Sequence, residues 1–225
     1  MDAALLLLAD SRLPAGGHGH SGGAEEAVRI GAITGPEDLA RFLRGRLATT
    51  GLVAAALAAA ACELCASGEE GTRAWRELDA EADARTASPA QRGASRTQGR
   101  LLLRTGRRIW PSTALDAPAR AVPQGAHHPI ALGAVAAAAG CAPHDAALAT
   151  AYTSVTGPAT AAVRLLGLDP VVVHRVLAGL VPDLEGVART ARARTAWEDL
   201  PAHAAPALDL LAEQHLRTEV RLFVS

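Results

Sequence analysis

The sequence predicts an all-α fold, from three features. Apolar residues recur at helical spacing, as in Leu39, Phe42, Leu43 and Leu47, while β-branched runs are few. Helix starts are marked by cap-and-proline signals at Thr34-Gly35-Pro36, Ser88-Pro89 and Asp169-Pro170. The composition is 49% hydrophobic but only 3% aromatic. The core must then be built from Ala, Leu and Val, and small side chains let helices approach closely. A chain of 225 residues suits one large domain or two small ones, and can bury roughly 70–75% of the surface its unfolded form exposes.

The formal charge of −1 argues against a nucleic-acid binder, which would show a basic patch or stripe. Apart from histidine every basic residue is Arg; no Lys occurs. Met1-Asp2 opens on an acid rather than a basic n-region, so no secretory leader is expected. The longest apolar run, Leu52 to Cys62, is mostly alanine and short of the ~20 residues a membrane span needs. The three cysteines are an odd number and fit a reducing cytoplasm better than a disulfide framework.

From Leu5 to Glu26 the chain is apolar, breaks at Pro14, and passes through Gly16, Gly17, Gly19, Gly22 and Gly23 before Ala24-Glu25-Glu26 opens a helix with acids in its first turn. Gly17, Gly19 and Gly22 spell the G-x-G-x-x-G dinucleotide fingerprint, with Leu5 to Ala9 as its only candidate strand. Gly19-His20-Ser21-Gly22-Gly23 spells the G-x-S-x-G nucleophile elbow, which would make Ser21 the nucleophile of a serine hydrolase. Neither has a sheet to sit on, since the next hundred or so residues are alanine-rich and helical in pattern.

Thr34-Gly35-Pro36-Glu37-Asp38 starts a helix whose pattern can run to about Ala66, roughly 45 Å at the standard rise, with Gly45 and Gly51 as weak points. Cys62-Glu63-Leu64-Cys65 lacks the second ligand pair of a structural zinc site and suits small core residues. Thr72 to Arg85 reads as a helix with Trp75, Leu78 and Ala82 on one face, and Ser88-Pro89-Ala90-Gln91 as a capping box opening the next. On that next helix Ser95 and Gly99 lie four residues apart on one face, as close packing requires. Residues 110–129 hold four prolines and read as a loop, the candidate internal boundary of the chain. His127-His128-Pro129 ends it; adjacent side chains point apart, so a structural role outweighs chelation. Asp145 to Leu166 is helical, with Gly157-Pro158 expected to kink or split it. Asp169-Pro170 starts a helix to Ala178, and Asp183 is expected to cap another carrying Arg189, Arg192 and Arg194, a solvated face or a contact for an acidic partner. The tail mixes Leu216, Val220, Leu222, Phe223 and Val224 with Arg217, Glu219 and Arg221, as suits a segment that is loose alone and orders under a partner.

Leu8-Ala9-Asp10-Ser11, Leu13-Pro14, Gly16-Gly17, His20-Ser21 and Glu25-Glu26-Ala27 together resemble the N-terminal signature of the urease accessory protein UreF family. Arg92-Gly93-Ala94-Ser95 with Gln98-Gly99-Arg100 resembles a second block of that family, Ala161 to Leu165 followed by Gly167 a third, and His215 with the Arg221-Leu222-Phe223-Val224-Ser225 ending a fourth. Three places depart from the family pattern: His18-Gly19 for an aromatic and a small hydroxyl residue, Gly93 for an acid, and Leu168-Asp169-Pro170 for a segment that usually carries Gln.

The resemblance implies one all-α domain over residues 1–225, a bundle of about ten helices. It implies a cytoplasmic accessory protein without catalysis or cofactor. Such a protein acts with a UreD/UreH-like protein and a UreG-like GTPase on apo-urease, coupling GTP hydrolysis to nickel insertion. The UreF-like subunit would dock the GTPase and regulate it, and would form a homodimer. It would hold no nucleotide itself, since a P-loop requires a Lys that the chain lacks. Partner contacts are expected among Asp10, Ser11, His18, His20, Ser21, Arg164, His215, Arg221, Leu222 and Phe223, with a UreD-like protein as cover for the tail. Membrane and nucleic acid are not expected as partners. The alternatives are a direct nickel metallochaperone using His18 and His20, with His127 and His128 as further imidazoles, and a Ser21 hydrolase.

Overall fold

The computed structural model describes residues 3–68 and 71–225. Met1-Asp2, which bore the argument against a leader, lies outside them. The described residues form α1 (Ala3–Ala9), α2 (Ala24–Arg29), α3 (Pro36–Arg46), α4 (Leu52–Ala66), α5 (Thr72–Ala84), α6 (Pro89–Ile109), α7 (Asp116–Ala121), α8 (His128–Ala138), α9 (Pro143–Leu166), α10 (Pro170–Gly179), α11 (Val181–Arg192) and α12 (Pro206–Arg217), with no strand. A π-helical turn at Leu47–Gly51 joins α3 to α4, so Pro36–Ala66 is one rod of 31 residues. With that rod counted once, eleven α-helices make a single-domain bundle, against about ten expected.

The α4 half of the rod is the centre, and α8, α9 and α11 all pack on it. Ala55, Ala56, Ala58, Ala59 and Ala61 are fully buried, because a helix that is apolar all round must be covered on every side. Gly133 of α8 permits the closest approach: a Cβ there would fall 2.1 Å from the Ala58 carbonyl oxygen. At Gly99 of α6 a Cβ would fall 2.0 Å from the Ala126 carbonyl oxygen, so this glycine is the packing residue its spacing predicts. The rod is long and apolar enough to cross a membrane by length and composition, unlike the shorter run judged from sequence. Two-thirds of its most apolar window (67%) is buried inside the protein, as in a core helix.

Several starts form as the sequence predicts. Ser88 Oγ accepts from Gln91 N at 3.1 Å and Asp169 Oδ1 from Val171 N at 2.8 Å. The other half of the Ser88 box is supplied by α12: Ser88 N donates to Asp209 Oδ1, and Ser88 Oγ and Ala90 N donate to Glu213 Oε1. Orphan amides at one helix start thus fasten another helix. Asp183 does not cap α11; Leu180 precedes the helix, Pro182 sits in its first turn and Asp183 follows it. Residues 110–129 are not an open loop. They hold a 3₁₀ turn at Thr113–Leu115 and α7, with Leu115, Ala117 and Ala126 buried in the common core. The prolines masked a short helical spacing of Leu115, Pro118, Ala121 and Val122. Cys62, Cys65 and Cys141 are buried free thiols. Cys62 Sγ reaches the Cys141 carbonyl at 3.5 Å, and burial pushes its thiol up to about 12.

Helix α9 runs unbroken through Pro158. A proline has no N–H for the carbonyl four residues back, here that of Ser154. Arg46, at the end of α3, supplies the missing donor: its Nε bonds Ser154 O at 2.9 Å, and its Nη1 bonds Gly22 O at 2.9 Å. Replacing Arg46 with Met is expected to lower stability by about 2 kcal/mol or more, by stranding both carbonyls. Pro158→Ala restores the amide and should return about 1 kcal/mol of that loss. Denaturant unfolding of both single variants and the double variant measures the coupling; strict additivity would contradict the assignment.

Candidate functional site

The two ends of the chain meet. Gly22 and Gly23 take left-handed φ values of 60° and 91°, which glycine adopts at no steric penalty. These two residues turn the glycine-rich segment into α2. A Cβ on Gly22 would lie 3.0 Å from the Pro158 ring and 3.1 Å from the Arg46 guanidinium. The segment is therefore held against α9 where Arg46 bridges them.

The C-terminal tail returns along this segment. Val224 N donates to Gly19 O at 2.7 Å and Ser21 N to Ser225 O at 2.5 Å. Ser21 Oγ donates to Ser225 O at 3.0 Å, and His20 Nδ1 bonds Ser225 Oγ at 2.6 Å. Glu25, in the first turn of α2, accepts from both Leu222 N (2.6 Å) and Phe223 N (3.0 Å). From α12, His215 Nε2 donates to Phe223 O at 3.3 Å, and the Arg164 guanidinium stands 5.1 Å from the centre of the Phe223 ring. Side chains alternate as extended chain requires: Phe223 is 5% exposed, Leu222 54% and Val224 65%. The tail is thus ordered on its own chain, contrary to the expectation of a segment loose until covered.

This clasp borders an open cleft of about 1580 Å³, which Asp10, Ser11, His18, His20, Arg164, His215 and Phe223 all line. Ser21, Arg221 and Leu222 do not line it. Ser21 is fully buried, and its Oγ also accepts from Glu25 N at 3.3 Å. The adjacent imidazole of His20 is turned to Ser225 instead, so among the described residues no imidazole is hydrogen-bonded to Ser21 Oγ. Leu5 to Ala9 belongs to α1, a helix, and so the dinucleotide motif also lacks its strand. Asp10 forms a local pair with Arg12, which holds its carboxyl down at about 2. His18 is exposed. Among the described residues His18 and His20 gather no third ligand atom.

A second polar cluster lies where α5, α6 and the start of α8 converge. Asp79, Asp83 and His127 bring ligand-type atoms within 4.8 Å of one another. Arg96 occupies the place a cation would take, with Nη1 2.8 Å from Asp79 and Nη2 2.6 Å from Asp83. His127 Nε2 donates to Asp83 at 2.9 Å, Asp79 accepts from His127 N, and Ser95 Oγ bonds His127 Nδ1 while accepting from His128 N. His127 is thereby a structural residue, as the adjacency of the two histidines predicts. Ser95, expected to serve close packing, is a hydrogen-bonding hub. Burial pulls His127 below the ordinary imidazole range. Burial, with His20 nearby, takes His128 down to about 4.

The sequence did not single out Arg46, or the role of Glu25 beyond its motif. A proline deep in a long helix signals an orphan carbonyl, but only the fold identifies its donor.

The fold and site define a class of protein: an all-helical scaffold whose termini clasp each other beside an open cleft. A family model for UreF matches residues 33–181. Proteins named urease accessory protein UreF are 48% identical over 221 residues in Mycobacterium sp. strain JLS, covering 98% of this chain and 97% of that protein. The figures are 47% over 226 residues in Mycolicibacterium vanbaalenii (99% and 98%) and 44% over 223 residues in Mycobacterium tuberculosis strain H37Rv (99% and 98%). The chain belongs to the UreF family of urease accessory proteins.

Two outcomes follow from the clasp geometry. Phe223→Ala should lower stability by about 3 kcal/mol or more, while Leu222→Ala, already exposed, stays within about 0.5 kcal/mol; chemical denaturation separates them. The depressed histidines His127 and His128 set a pH dependence. His128 is depressed in the folded state, so the unfolded chain binds more protons as pH falls below about 6.5. Stability should therefore drop from about pH 6.5 towards 4, at no more than about 1.4 kcal/mol per pH unit for each such histidine. A His128→Asn variant should show a shallower slope over that window in urea titrations at stepped pH.

Proposed function

We propose that this protein is the UreF-type subunit of a urease maturation complex, docking and regulating a UreG-like GTPase beside a UreD/UreH-like protein during nickel insertion into apo-urease. Its relationship to proteins named urease accessory protein UreF, extending over both ends of the clasp, carries the reading. The chain has no Lys and hence no P-loop of its own, which accords with a regulator of a GTPase rather than a GTPase. Ser21 is locked in hydrogen bonds, in keeping with a role without catalysis. Leu6 and Leu7 of α1, with Leu222 and Val224 of the tail, are exposed apolar residues near the two ends, as suits surfaces covered in a complex. The protein works in the cytoplasm, and as a homodimer within the assembly. Nickel is cargo in this scheme.

In cells lacking this protein, apo-urease should accumulate to ordinary amounts with little nickel. Metal analysis of urease purified from a deletion strain checks this, and full nickel occupancy at ordinary supply would contradict it.

A further inference from the structure

The charges of this chain are distributed unevenly. Between Asp83 and Asp145 there are eight arginines and one carboxylate, Asp116. Three of those arginines are matched by acids outside the stretch: Arg85 by Glu81, Arg92 by Asp83, and Arg96 by Asp79 and Asp83. The other five are Arg100, Arg104, Arg107 and Arg108 on α6 and Arg120 on α7, all exposed.

Hydrogen bonds fix how these two helices lie. Arg107 Nη2 reaches Asp116 Oδ1 at 2.6 Å and the Leu115 carbonyl at 3.3 Å. About two turns earlier, Arg100 Nη1 reaches the Gln124 carbonyl at 2.6 Å. The chain at residues 115 and 116 therefore lies beside Arg107 and the chain at residue 124 beside Arg100, while α7 between these ties packs on α5. Arg100, Arg104 and Arg108 follow at i, i+4 and i+8, one stripe on a helix. Arg100 and Arg107 are pinned in place; Arg104, Arg108 and Arg120 have no partner among the described residues. Ile109, 44% exposed, provides an apolar contact at the end of the stripe.

A helix C-terminus favours cations, which accounts for Arg107 and Arg108 in the last turn of α6. It does not account for Arg100, Arg104 or Arg120. Like charges four apart on a helix are unfavourable, and among the described residues only Asp116 pairs with one of them.

We propose that the arginine stripe of α6, centred on Arg104 and Arg108, is a docking surface for a carboxylate-rich protein surface. Guanidinium forks bind carboxylates in bidentate fashion, and those of Arg104 and Arg108 stand unpaired on a rigid helix. Two of the neighbouring arginines are already oriented by the chain, so little side-chain freedom remains to be lost there on binding. This face is separate from the terminal clasp, and the inference does not rest on the reading under Proposed function.

The test is fluorescence anisotropy of labelled poly-L-glutamate with the full-length protein near physiological ionic strength, with a short labelled DNA duplex as the phosphate probe. Saturable poly-L-glutamate binding is expected. It should weaken at least about tenfold in Arg104→Glu/Arg108→Glu and by a smaller factor in Arg104→Lys/Arg108→Lys, whose ammonium groups lack the fork. Arg189→Glu/Arg192→Glu on α11 should change it less than about twofold. All these side chains are exposed, and circular dichroism should confirm unchanged helicity. No binding by the wild-type chain, an equal loss from both reversals, or tighter binding of the duplex than of poly-L-glutamate would overturn the proposal.

Discussion

The close approach of α8 to the central rod is the constraint on which the rest of the structure depends. Gly133 lies so near the Ala58 carbonyl that not even a methyl group fits between them. The core of a chain with 3% aromatic residues cannot be filled by a few large side chains, so helices must come together at backbone distance. Each buried alanine contributes little apolar area, and the interior compensates by bringing many of them together. The consequence is polar. When backbones pack this tightly, an interrupted hydrogen bond is expensive, and the chain answers several with a specific side chain. Arg46 serves the carbonyl released by Pro158, Asp209 and Glu213 serve the first amides of α6, and Ser95 serves His127 and His128.

The terminal clasp obeys the same rule. A tail of extended chain has unpaired amides, and Glu25 takes two of them with one carboxylate while Gly19 takes a third. Phe223 then fills the space beneath Arg164. The result joins the two stretches most distinctive in sequence, separated by nearly the whole chain, into one structure. Its buried face holds the fold together. Its outward face exposes Leu222 and Val224.

Much of this was legible before the fold was known. The rod from Pro36 to Ala66 was visible in its spacing and start signal, as was the core face of α5 at Trp75, Leu78 and Ala82. The resemblance of the two termini to one family named them as important, and the structure shows that they touch. What sequence could not give was pairing. Nothing local in Glu25 says that it holds the tail, because the contact spans 198 residues. Pro158 signals an orphan carbonyl, but the donor lies on a different helix. The prolines of residues 110–129 read as a loop because turn signals are local, whereas α7 buries Ala117, Pro118 and Ala121 and packs on α5. Asp183 was misplaced by three positions for a similar reason: Leu180 is buried and enters the helix from the core.

The claim that the two ends form one ordered unit in the isolated chain is tested most directly by amide hydrogen exchange. Ser21, Leu222, Phe223 and Val224 donate every backbone bond of the clasp named above. In the full-length protein alone, those four amides should exchange at least about a hundredfold more slowly than in an unfolded chain, because opening them requires lifting Phe223 from its pocket. If they exchange at the unfolded rate while the amides of α4 remain protected, the tail is not docked on its own chain and the account of the site is wrong.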